Sequence, residues 1–92
     1  MKFLYTAWFR DTALSEGDNH YEWSACIMIN APTEREAKEW GDYLAMQRVV
    51  QSQSIYLFNA TLENAGSWPR KKIQNVPKVD YGEQISGLQI GW

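Results

Sequence analysis

Apolar residues recur along this chain with two different periods. Over residues 2–10 every second position is apolar (Phe3, Tyr5, Ala7, Phe9), and the alternate set Leu4, Thr6, Trp8 and Arg10 is also largely apolar. Two apolar faces predict a strand that is central in its sheet or covered on both sides. Residues 11–20 contain Ser15, Glu16, Gly17, Asp18 and Asn19, a loop composition. The period of two resumes over residues 21–30. Tyr21, Trp23, Ala25, Ile27 and Ile29 form the inward set, against the more polar Glu22, Ser24, Cys26, Met28 and Asn30. A loop of this length joins two such strands as an antiparallel pair.

The period then changes to that of a helix, predicted over residues 34–50. Thr33 and Glu36 form a capping box, and Glu34 and Glu36 complement the positive end of the helix dipole. Ala37, Trp40, Gly41 and Leu44 share one face, with Arg48 continuing the stripe at its wet end. A glycine inside a helix costs roughly 1 kcal/mol against alanine, so Gly41 predicts the close approach of a strand or a bulky ring. Residues 54–62 read as a third strand, in which Ile55, Leu57, Asn59 and Thr61 alternate with Tyr56, Phe58, Ala60 and Leu62. If strands two and three are parallel, the helix between them makes a β-α-β unit.

Residues 63–69 must turn, and residues 72–79 form at most a short edge strand interrupted by Pro77. The end of the chain admits two periods. Asp80 and Glu83 suit a short helix burying Tyr81, Ile85 and Leu88, whereas Leu88, Ile90 and Trp92 alternate as a strand. Gly82 and Gly87 weaken the helix, which favours a turn and a terminal strand. The fold class that follows is α+β: a two-layer sandwich with a mixed sheet of about four strands, in the order β-β-α-β-β, and one main helix on one face. Its outline is like a rearranged or truncated ferredoxin-type fold, an analogy that licenses no function.

Composition narrows this picture. Ninety-two residues make one domain, 1–92, and five Trp, five Tyr and three Phe supply ample surface to bury. The lone Cys26 precludes an intramolecular disulfide and points to a reducing, cytoplasmic setting. The first ten residues lack a signal-peptide cleavage pattern, and no run is long enough to span a bilayer, so no membrane is expected. A net charge of −2 argues against a general nucleic-acid binder. The charge is uneven, however: Arg70, Lys71 and Lys72 follow Trp68, a combination that can stack a base and neutralise phosphate. It equally describes a solvated turn that keeps a sheet edge soluble, and one short run is a narrow footprint.

Candidate chemistry is sparse. His20, the one histidine, stands in a row with Asp18 and Glu22 that could bind a metal or hold a general base. No second histidine completes such a site, so neither metal nor cofactor is expected. Cys26 lacks a neighbouring base and reads as a small interior residue. More informative are Tyr43, Met46 and Val50, on the helix side opposite the core stripe, where polar residues are expected. Something must cover them: the C-terminal segment, another protein or a second copy. The tryptophans are also too many to bury completely, which sends some, Trp8 and Trp92 among them, to the rim of an interface. The expectation is a small, non-catalytic interaction or adaptor module, a homodimer or the partner of another protein, using Tyr43, Met46, Val50, Trp8 and Trp92. The alternative is a ligand-binding protein or cofactor-independent enzyme whose sheet–helix groove is lined by Trp23, Trp40 and Leu44, with His20 at its mouth.

Overall fold

A computed structural model of the chain describes residues 1–66, 68–69, 71 and 75–92, and of Gly87 and Leu88 only the backbone. Four strands, β1 (Lys2–Asp11), β2 (Glu22–Asn30), β3 (Ile55–Asn64) and β4 (Lys78–Asp80), form one sheet in the order β3-β1-β2-β4. β1 is antiparallel to both of its neighbours, and β4 runs parallel to β2. β2 and β3 are therefore parallel to each other with β1 inserted between them. Helix α1 (Glu34–Val50) makes the crossover on the inner face. The two-layer α+β arrangement expected from the sequence is the one formed.

The central position of β1 follows from its two apolar sets. Phe3, Tyr5, Ala7 and Phe9 are buried on the inner face, with Ile27 and Ile29 of β2 beside them. Leu4, Thr6, Trp8 and Arg10, on the outer face, are partly buried. The Thr33 hydroxyl accepts a hydrogen bond from the Glu36 amide at 3.2 Å, starting α1 where the capping signal lies; such a cap is worth about 1 kcal/mol. Ala37, Gly41, Leu44 and Ala45 are the helix's buried residues. A methyl group on Gly41 would lie 2.5 Å from the Cγ and Cε2 atoms of Tyr5, inside van der Waals contact. Of the strand or bulky ring expected there, it is the ring of Tyr5, on β1, that makes the approach.

Three parts of the sequence reading need correction. The first is the regular alternation of β3. Trp8 pairs with Asn59 but Phe9 pairs with Leu57, so Phe58 faces no residue of β1 and forms a bulge. Ile55 and Leu57 on one side of it, and Ala60 and Leu62 on the other, all keep to the inner face. The second is the terminal strand, which is instead a single helical turn, α2 (Gly87–Ile90). Ser86 and Gln89 form its capping box: the Ser86 hydroxyl accepts from the Gln89 amide at 3.2 Å, and the Gln89 side chain accepts from the Ser86 amide. Gly91, at φ +92°, ends the turn and sends Trp92 into the core. There its indole N–H donates to the Ala25 carbonyl at 3.1 Å, and its ring lies edge-on to Tyr5 and Phe9.

The third correction concerns the segment after β3. β3 and β4 occupy opposite edges, so their connection must cross the sheet rather than form a hairpin tip. Ala65, Trp68 and Val76 pack with Leu4 and the buried Met28, which places the crossing on the outer face. That cover explains why Met28, in the more polar set of β2, is 1% exposed.

The Gly41 contact predicts the outcome of one substitution. Gly41→Ala gains helix propensity but overpacks a ring that cannot move, and should lower stability by about 2 kcal/mol. Urea denaturation measures it; a variant as stable as its parent would show that the helix does not rest on Tyr5.

Candidate functional site

His20, Asp18, Glu22 and Cys26 do not converge on one site. His20 is exposed, in the loop before β2, and its amide donates to the Asp18 carboxylate at 2.8 Å in a local turn. Among the described residues no three His, Cys, Asp or Glu side chains are grouped so as to hold a metal ion. Cys26 is half-buried on the outer face, where burial pushes its thiol pKa up, away from the reactive thiolate. Among the described residues every buried side-chain nitrogen and oxygen has a hydrogen-bond partner.

The expected groove between sheet and helix is packed. Leu44 is 3% exposed and belongs to the core cluster that also holds Trp92 and Ile90. Trp23 stacks on Phe9 with ring centres 5.6 Å apart. Trp40 instead lies at the β4 side of the helix, where its indole donates to the Glu83 carbonyl at 2.9 Å and its ring approaches Tyr81. Trp92, expected at an interface, is a core residue, because Gly91 turns it inward. Trp8 remains half-buried on the outer face. Trp68 is occupied in covering Met28; Lys71 is exposed, and Arg70 and Lys72 lie outside the described residues.

The outward side of α1 is different. Tyr43, Met46 and Val50 are 48%, 46% and 78% exposed, so no described segment covers them. Tyr43 stacks on Trp40 at 4.9 Å, which fixes it flat against the helix. Met46 shares an open hollow of about 480 Å³ with Leu57 and Phe58 of β3, and with Lys38 and Asp42. A second hollow, of about 560 Å³, continues from Lys38 past Glu34 and Arg35 to Leu62. Met46 thus links the apolar helix side to the β3 edge, along a shallow channel between α1 and β3.

Two local features give that surface its shape. Phe58, extruded by the bulge, is 46% exposed, with the Arg10 guanidinium 3.4 Å above its ring, a cation–π contact worth about 0.5–1 kcal/mol at an exposed site. Arg10 is held from its other side by Glu22 at 3.3 Å. The second feature is the edge itself. The Lys2 carbonyl accepts from Ala65 and the Thr12 amide donates to the Ser54 carbonyl, at the two ends of the β1–β3 ladder. Antiparallel alternation from these ends makes Asn64, Leu62 and Ala60, then Leu57 and Ile55 beyond the bulge, turn their amides and carbonyls away from β1. Among the described residues no strand pairs with β3 on that side.

The sequence held signals for these features that period-two reading passes over. In β3 the two inward pairs, Ile55 with Leu57 and Ala60 with Leu62, fall out of step by one residue, which is what a bulge produces. Ser86 and Gln89 stand at capping-box spacing. No known protein family, curated protein or solved structure matches the chain.

Beneath the channel, the buried Tyr5 hydroxyl donates to the Asp42 carboxylate at 2.7 Å, and Lys38 holds the same carboxylate at 2.8 Å. Burial, with Asp42 beside it, raises the Tyr5 pKa far above its ordinary value of 10.0. The phenol is thus a fixed donor, not a base. Tyr5→Phe should cost about 1 kcal/mol at neutral pH. Above pH 10 the unfolded chain releases this proton and the folded one retains it, so the parent should lose up to about 1.4 kcal/mol more per pH unit than the variant. Denaturation curves between pH 7 and pH 11 give the comparison; parallel pH profiles would contradict the burial of the phenol.

Proposed function

We propose that this protein is a small, non-catalytic interaction module that associates with a second copy of itself through the surface formed by the outward side of α1 and the β3 edge. The exposed trio Tyr43, Met46 and Val50, with Phe58 on the rim of the hollow that Met46 helps to line, is the observation that carries this reading. Aromatic residues and methionine are enriched at interfaces, and a helix facing only water is expected to be polar there. The packed sheet–helix space and the absence of unpaired buried polar groups among the described residues turn the reading away from the ligand groove. A cytoplasmic setting suits the unpaired, half-buried Cys26. No helix among the described residues is long and apolar enough to cross a membrane.

Sedimentation equilibrium from 5 to 500 micromolar tests the proposal. The protein should pass from monomer to dimer over that range. Met46→Lys, at a half-exposed position outside the core cluster, should weaken association by about ten-fold while leaving the helical circular-dichroism signal unchanged. A monomer at every concentration would refute self-association.

A further inference from the structure

The outward amides and carbonyls of β3 specify the chemistry of what sits beside them: another extended backbone. We propose that the β3 edges of two copies pair antiparallel about a two-fold axis, joining the two sheets into one with both α1 helices on the same face. This rests on the self-association proposed above and specifies its geometry.

Three observations favour a second copy as the occupant. The first is register. The bulge at Phe58 shifts the outward set by one, from Ile55 and Leu57 before it to Ala60, Leu62 and Asn64 after it. An antiparallel copy presents the opposite segment, so Leu57 meets Ala60 and Ile55 meets Leu62. Backbone groups free to bond then face their like along the strand, the two bulges meet at the axis, and the inward apolar side chains stay on one face. Leu57, Ala60 and Leu62 are each only partly buried in the single copy, so each has surface left to cover. The Asn59 side chain, which accepts the Ala60 amide at 2.9 Å in the single copy, yields that donor to the partner's carbonyl.

The second observation is charge. Lys38 and Asp42, one helical turn apart, both line the hollow over Phe58 and Ala60, next to the axis. They are ion-paired within each copy, so the two-fold brings no unbalanced charge to the axis. Within β3 itself Glu63 is the only charged residue, and there is neither lysine nor proline, the residues that ordinarily guard an open edge. The third is area. In this register Ile55–Leu62 of each copy overlap, eight residues or about 26 Å of strand. Multiplied by the molecule's thinnest dimension of 19 Å and counted on both copies, this gives roughly 1,000 Å², the size of a weak, reversible dimer interface.

Hydrogen–deuterium exchange of the unaltered protein at 5 and at 500 micromolar tests the pairing, together with sedimentation of Leu62→Pro. That proline removes an amide pointing away from β1, so the internal ladder survives. Exchange at Leu57, Ala60 and Leu62 should slow by about ten-fold or more at the higher concentration, and Leu62→Pro should weaken association by about thirty-fold, one hydrogen bond being lost in each half. A dimer whose β3 amides exchange equally fast at both concentrations overturns the edge pairing but leaves self-association standing. A protein that stays monomeric to 500 micromolar overturns both. The exchange comparison needs no substitution, so it decides the matter even if Leu62→Pro fails to fold.

Discussion

The depth at which α1 lies on the sheet is set where Gly41 meets the ring of Tyr5. Any side chain at that helix position would hold the two layers apart, and the neighbouring buried helix residues Ala37 and Ala45 are small as well. The close approach brings Asp42 within reach of the Tyr5 hydroxyl, which would otherwise be an unpaired polar group in the core. It also leaves a wedge of space to one side of the helix, next to Phe9 and Ala25, and Trp92 fills it. One glycine thus dictates the helix position, the satisfaction of a buried phenol and the site of the last tryptophan.

A single helix over four strands cannot shield everything the strands present. The link from β3 to β4 covers one end of the outer face, near Leu4 and Met28, and stops short of Arg10 and Phe58. At 13.4 Å the radius of gyration exceeds the roughly 12.3 Å typical of a chain this long, and the body measures 39 × 25 × 19 Å. Such a shape has much surface for its volume. Among the described residues, Tyr43, Met46 and Val50 on the helix and Tyr56 and Phe58 on β3 are large exposed apolar side chains, with Met1 and Tyr81 exposed elsewhere.

Much of this architecture was legible from residue order. The double apolar pattern of β1 announced a strand that is central or covered on both faces, Thr33 and Glu36 marked the start of α1, and the isolated Gly41 implied the close approach of a strand or a ring. What escaped was decided by tertiary context or by a competing local signal. The bulge in β3 has no single-residue marker and shows only as the one-residue slip between its two inward pairs. The glycines at 82 and 87 argued against a helix near the end, yet a helix of one turn tolerates glycine at its first position, and the Ser86–Gln89 cap outweighed them. The outward apolar trio on α1 was visible from spacing alone. That the C-terminal segment would bury Trp92 rather than cover the trio was not, because the choice depends on a cavity that exists only once the layers are assembled.

The bulge separates what β3 contributes to folding from what it displays. Struck out of the sequence, Phe58 would leave Ile55, Leu57, Ala60 and Leu62 in unbroken alternation with Tyr56, Asn59 and Thr61. The interior has no use for that phenylalanine. It is one residue of surplus length, and the strand accommodates it by arching outward, so variation in chain length rather than in side-chain identity is the route by which such an edge can acquire or shed an anchor.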